Sequence, residues 1–191
     1  MKRRVFSAAA AVILGIFSFT SAAAAPGAPA GTYDVVIVGG TPGGIMAAIS
    51  AAREGKDCLV LERSGHIGGL PSNGLGATDI ATRGATTGLF AEFIELNRQH
   101  YISEYGPDSE QVKKCSGGYH FEPGVAERNF WKMISEAGPG KIDILTMRQF
   151  DSSAGNLVTD GDRITAVKIL DRENGDTEVY RGKIFIDATY E

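Results

Sequence analysis

Cysteine is scarce, histidine is scattered, and charge of neither sign is concentrated in this chain. Its 191 residues include 2 cysteines and 3 histidines. Cys58 and Cys115 form no C-x-x-C pair, which leaves dithiol redox chemistry without a candidate. Cys58 lies in an apolar run and Cys115 in a polar one, so two free thiols are expected rather than a bridge. His66, His100 and His120 stand far apart and build no metal-ligand cluster, so no metal site is expected. A net charge of −4 with no basic stripe argues against a nucleic-acid partner. Long apolar runs are also missing. The one candidate, residues 8–19, is too short to span a bilayer comfortably.

That short run has a different reading. Lys2-Arg3-Arg4 is a basic head, residues 8–19 an apolar core, and residues 21–25 a run of small side chains. This is the layout of a secretory signal peptide, with cleavage expected after Ala24. Arg3-Arg4-Val5-Phe6 also has part of the twin-arginine pattern, which suits a protein that binds its cofactor before export. Secretion or a periplasmic location follows, without stable membrane insertion once residues 1–24 are removed. Residues 25–32 read as a Pro/Gly/Ala linker. Residues 33–191 are long enough for one domain with a real core.

The chain is organised around residues 33–70. Asp34-Val35-Val36-Ile37-Val38 is apolar and β-branched, as a buried parallel strand requires. Gly39-Gly40-Thr41-Pro42-Gly43-Gly44 follows at once and opens an alanine-rich helix. Cys58-Leu59-Val60-Leu61 is a second buried strand and ends on Glu62, about 20 residues beyond the turn. Strand, glycine turn, helix, strand and acid in this order describe a dinucleotide site. Gly39 supplies backbone angles that other residues avoid, and the helix start presents free N–H groups and a positive dipole end to a pyrophosphate. Gly44 lets helix and strands approach, and Glu62 is placed to accept from ribose hydroxyls. Thr41 stands where the usual G-x-G-x-x-G spacing has its middle glycine, and its hydroxyl is available in principle to a phosphate oxygen. Moving the frame to Gly40 fails, because Pro42 and Ile45 then occupy the later glycine positions. The plain alternative is a glycine-rich turn with no ligand.

Downstream, residues 71–87 are polar and rich in glycine and threonine, and read as a long loop of functional type. Residues 89–105 form an amphipathic helix stopped by Gly106-Pro107. Residues 108–118 are polar and irregular, and 124–137 form a further helix. A third parallel-type strand covers 141–146. Residues 148–151, 163–171 and 177–186 are expected to make an antiparallel three-stranded β-meander, separated by turn-rich 152–162 and 172–176. The fold class is therefore α/β: a Rossmann-like parallel sheet with a glycine-rich βαβ unit and an added meander, the domain itself incomplete.

Past Glu62, Gly68-Gly69 and then Gly74-Leu75-Gly76-Ala77-Thr78-Asp79 give a family resemblance. The chain resembles flavoproteins of the glutathione-reductase type, and more narrowly the FAD-dependent oxidoreductase family. Ile184-Phe185-Ile186-Asp187-Ala188-Thr189 resembles the strand and Ala-Thr pair that return such chains to the cofactor. The resemblance implies FAD, held by Gly39, Gly40, Thr41, Pro42, Gly43, Gly44, Glu62, Arg63, Gly68, Gly69, Ala188 and Thr189. It also implies that the 71–87 loop runs beside the flavin, with Asn73, Thr78 and Asp79 as polar contacts. Related sequences carry an aromatic-Glu-Pro stretch often followed by histidine. Here Tyr119-His120-Phe121-Glu122-Pro123 is followed by Gly124, so His120 joins Asp79 as a catalytic candidate. Related chains continue beyond Tyr190-Glu191, so this one is expected to be the amino-terminal, cofactor-binding portion of a longer protein. The implied function is an exported FAD-dependent oxidoreductase whose flavin takes hydride from a small-molecule substrate and passes electrons to an acceptor. The alternatives are a non-catalytic nucleotide-binding fragment and a NAD-binding dehydrogenase domain, for which Glu62 would serve equally.

Overall fold

The structure, a computed structural model, describes residues 31–190. The expected leader, 1–24, lies outside the described residues, as does the linker up to residue 30. The first strand, β1 (Thr32–Val38), takes in the last residue assigned to that linker. It leads through a glycine turn into α1 (Pro42–Arg53) and then β2 (Cys58–Leu61), all four residues of which are buried. The Cys58 thiol is enclosed here, and burial pushes its pKa up to about 11. Next comes the loop read from sequence as irregular. It contains a π-type turn at Pro71–Leu75 and a 3-10 turn at Arg83–Ala85. Helix α2 (Gly88–Tyr105) follows, ending at Gly106, whose φ is +85°.

Residues 108–118 are more ordered than their polarity suggested. Ser109 accepts from the Val112 N–H and starts a short helix, α3 (Glu110–Lys114). Cys115, expected in a polar loop, is buried just beyond it, and neither cysteine is bridged. Helix α4 (Pro123–Ala137) then packs on α1 and α2. Phe130 lies stacked on Phe93 at 4.5 Å, and Phe121 meets Phe93 edge-on at 5.5 Å. Fully burying one such aromatic contributes about 1.5–3 kcal/mol. This aromatic contact, with Ile45, Ile49, Ile67 and Met133 around it, fixes the helical layer against the sheet.

The remaining strands are β3 (Ile142–Leu145), β4 (Arg148–Phe150), β5 (Leu157–Asp160), β6 (Arg163–Asp171) and β7 (Thr177–Asp187). The sheet has 7 strands in the order β3-β2-β1-β7-β6-β4, with β5 also paired to β6. Strands β3, β2, β1 and β7 run parallel, whereas β4, β5 and β7 pair antiparallel with β6. The expected three-stranded meander is present, but with β5 added inside residues expected to be only turns. Its ladder with β6 shifts register between Val158 and Thr159, which is why the sequence there shows no clean alternation.

β7 matches the strand expected over 177–186, and it does two jobs. Its first part, through Arg181, pairs with β6, and its second part, from Arg181 onward, pairs with β1. Gly182 sits just past the changeover, where an added Cβ would come within 2.8 Å of Val36 Cγ2. A glycine is required where the strand changes neighbours against a fully buried valine. No helix of the described residues is long and apolar enough to cross a membrane.

Candidate functional site

Register builds the site. Val38 is paired with Leu61 on one side and Asp187 on the other, so the three parallel strands end together. The residues that follow are Gly39, Glu62 and Ala188. Ligands of open α/β sheets bind at such carboxyl ends. The Gly39 N–H donates to Leu61 O and the Ala188 N–H to Val38 O, each at 2.8 Å, extending the ladder into the loops. Gly39 has φ +107°, and a Cβ there would lie 2.7 Å from the Ala188 carbonyl. At Gly44 a Cβ would come within 2.1 Å of Gly39 O. The first and last glycines of the turn are therefore both enforced by packing, as the spacing implied.

Thr41 is the N-cap of α1. Its extended backbone (φ −72°, ψ 168°) lets Oγ1 accept from the Gly44 N–H at 3.3 Å, and Pro42 fills the first helical position. The Thr41 hydroxyl donates its own proton to Ala188 O at 2.8 Å. That proton was the one the sequence left available to a phosphate. Ile45 N–H is bonded to Thr41 O, and Pro42 has no N–H. In the first turn of α1, the Gly43 N–H is left without a partner among the described residues. Gly43 is exposed, and a Cβ there would meet only Thr41 Oγ1, at 3.8 Å. One backbone donor at the positive end of a helix thus faces open space.

Glu62 is 7% exposed. Its Oε2 accepts from the Gly40 N–H at 2.8 Å and its Oε1 from the Ser64 N–H at 2.7 Å. These bonds fix the carboxylate, and each oxygen retains a second lone pair for a ribose hydroxyl. Gly40 in turn receives the Gly68 N–H on its carbonyl at 2.7 Å. Gly68 (φ +98°) is packed so tightly that a Cβ would sit 2.0 Å from Ser72 Oγ, itself buried without a hydrogen-bond partner among the described residues. A Cβ on Gly69 would sit 2.1 Å from Tyr190 Oη.

A cavity of about 270 Å³ opens in front of Glu62. Gly39, Thr41, Glu62, Arg63, Gly69 and Thr189, all named from sequence, line it. So does Asn73, expected in the loop. Gly40, Gly44 and Gly68 lie buried behind the surface, while Pro42, Gly43 and Ala188 border an adjoining cleft at the start of α1, together with Thr41, Thr189 and Tyr190. Sequence reasoning missed Arg148, Gln149 and Phe150, which close the far wall, and Tyr190. The wall is held by backbone: the Arg148 N–H donates to Glu62 O at 2.8 Å, and the Met147 N–H to Ser64 O at 3.0 Å. Arg172 adds a side-chain bond to Arg63 O at 2.7 Å.

Arg148 anchors that wall. Its guanidinium, 12% exposed, meets Asp171 at 3.0 Å, Glu173 at 2.9 Å and Glu178 at 2.8 Å. Burial works against its charge, but hydrogen bonds to Glu178 and Glu173 outweigh that cost and hold its pKa above the ordinary arginine value. Nothing in the local sequence around Arg148 signals this, because its partners come from the far end of β6, the following turn and β7.

Asp79 and His120 are placed elsewhere. Ala77 and His120 form an antiparallel bridge, flanked by bonds from the Thr78 N–H to Tyr119 O and from the Phe121 N–H to Gly76 O, each at 2.9 Å. The two candidates, far apart in sequence, are thus carried on one two-rung ribbon. Both are exposed, and neither lines the Glu62 cavity. His120 instead borders a separate pocket with Tyr101, Cys115 and Glu122.

Residues 34–191 match the family model described as FAD dependent oxidoreductase. A digeranylgeranylglycerophospholipid reductase of Methanocella arvoryzae is 26% identical over 170 residues, covering 82% of this chain and 38% of that protein. Among solved structures, a glycerol-3-phosphate dehydrogenase from Bacillus halodurans complexed with FAD superimposes with a TM-score of 0.53 at 13% identity. That match covers 84% of this chain and 34% of the other. Bacillithiol disulfide reductase from Bacillus cereus gives 0.53 at 19% identity, covering 83% of this chain and 40% of its own. At these identities the structural likeness is one of fold. The chain spans well under half the length of the curated relatives it matches.

Proposed function

This chain belongs to the FAD-dependent oxidoreductase family, and on that premise we propose that residues 33–191 are the cofactor-binding portion of an exported oxidoreductase acting on a small-molecule substrate. The observation that carries the reading is the buried, doubly anchored Glu62 carboxylate facing a cavity that the Gly39–Thr41 turn also lines. The residues fit a dinucleotide. Glu62 has acceptor capacity left for ribose hydroxyls, and Gly43 offers an N–H unbonded among the described residues at a helix start, with no side chain filling the space beside it. The same carboxylate would suit the ribose of NAD. Family membership is what favours FAD.

When bound, FAD supplies hydride acceptance and onward electron transfer to an acceptor. The chain's own residues would bind and orient: Glu62 would hold ribose and the start of α1 would face diphosphate, while Asp79 and His120, exposed on their ribbon, stand outside the Glu62 cavity. Export rests on the basic head, short apolar core and small-residue run of residues 1–24.

The test is direct. Full-length protein purified from the exported fraction should carry a flavin absorption band, and FAD at 100 times its dissociation constant should stabilise it by about 2.7 kcal/mol. Colourless protein whose melting temperature ignores FAD would overturn the assignment. Recovery of the protein only from the cytoplasm, leader intact, would overturn the export reading alone.

A further inference from the structure

Three residues border both the cavity in front of Glu62 and the cleft at the start of α1: Thr41, Thr189 and Tyr190. They form the sill between the two spaces, and all three carry hydroxyls. A hydroxyl has one proton to give. Thr41 gives its proton to Ala188 O at 2.8 Å, and Thr189 gives its proton to Asp187 Oδ1 at 2.7 Å. Tyr190 differs. Its Oη accepts the Leu70 N–H at 2.9 Å, and no protein acceptor among the described residues takes its proton. Tyr190 is 60% exposed and borders both spaces, so its unused proton is open to a ligand there.

From this arrangement we infer that Tyr190 is a phosphate-binding residue: its phenol donates to the diphosphate of the dinucleotide whose ribose Glu62 holds. The inference rests on the cofactor reading above and adds to it a donor that no glycine pattern contains. Thr41 occupies the position where the glycine pattern leaves backbone bare, and its side chain is tied to the strand end. The Tyr190 hydroxyl then joins the Gly43 N–H as a donor toward phosphate. The bond from Leu70 orients the phenol for this, because the accepting lone pair is fixed and the O–H must turn away from the loop. It also accounts for Gly69, where a Cβ would collide with Oη at 2.1 Å.

The experiment compares Tyr190→Phe with the wild type in the full-length protein. The ring is kept, so its close approach to Gly69 is preserved. Three probes are titrated calorimetrically: FAD, ADP and adenosine, of which only adenosine lacks phosphate. A hydrogen bond to a charged group is worth about 1.5 kcal/mol or more, so FAD and ADP should each bind about tenfold more weakly to the variant, with adenosine unchanged. An equal loss for ADP and adenosine would make Tyr190 a tether for the Leu70 loop and overturn the inference. Unchanged affinity for all three would overturn it as well. Wild-type protein that binds none of the probes would instead remove the nucleotide reading on which the inference stands.

Discussion

The Thr41 hydroxyl donates to the carbonyl of Ala188 at 2.8 Å, joining the glycine turn to the last strand end across 147 residues of sequence. The same oxygen caps α1 through Gly44. A threonine in this position therefore serves as a clamp, holding the strand end, turn and helix start in register. It exchanges a bare backbone for rigidity at the border of the cavity and the adjoining cleft.

Thr41→Val tests the clamp. The variant keeps the branched shape and removes both bonds. Loss of an N-cap side chain costs about 0.5–2 kcal/mol, and the Ala188 carbonyl loses its partner as well. Urea denaturation should show a drop toward the upper end of that range, with Thr41→Ser close to wild type. A midpoint unmoved in Thr41→Val would show that the cap is not holding the turn.

Glu62 acts on both folding and binding. Glu62→Ala leaves the Gly40 and Ser64 N–H groups without their acceptors, so the FAD-free protein should already be less stable. FAD affinity should fall by about 1.5–3 kcal/mol, the worth of hydrogen bonds to a charged group. Fluorescence titration of FAD checks the second effect and thermal melting the first. Undiminished affinity would move the ribose contact to another residue.

The glycines of the turn are not equivalent. A Cβ on Gly44 meets backbone at 2.1 Å, whereas one on Gly43 meets only a side-chain oxygen at 3.8 Å. Gly44→Val should fail to accumulate as folded protein. Gly43→Ala should fold, and helix propensity favours alanine there by about 1 kcal/mol. Circular dichroism on the two purified variants separates them, and a well-folded Gly44→Val would refute the packing argument.

Ser72 carries a buried hydroxyl beside Gly68 with no hydrogen-bond partner among the described residues. An unpaired buried polar group costs about 1–3 kcal/mol. Ser72→Ala removes the oxygen and nothing else, so the melting temperature should rise. A fall would mean that the hydroxyl has a partner in solution, such as bound water.

The βαβ unit was legible in the sequence because each of its requirements is local. A buried strand needs an unbroken β-branched run, the turn needs Gly39 with φ +107°, and the helix needs a helix-favouring, alanine-rich run. Glu62 followed from its place at the end of the second strand. Helix α2 was legible from periodicity and its Gly106-Pro107 stop, and α4 formed over nearly the residues expected, 124–137. Tertiary structure decided what depended on distant partners. β5 was invisible because its ladder with β6 is irregular, and only folding shows that β7, expected as a strand over 177–186, changes neighbours at Arg181. The wall formed by Arg148–Phe150 was absent from the sequence reading because the charges that hold Arg148 lie on β6, β7 and the turn between them. The roles of Thr41 and Tyr190 rest on where one proton of each goes. That is set by the carbonyl or amide folding brings within hydrogen-bond distance, so composition and spacing could name the nucleotide site while only the packed strand ends could apportion its donors.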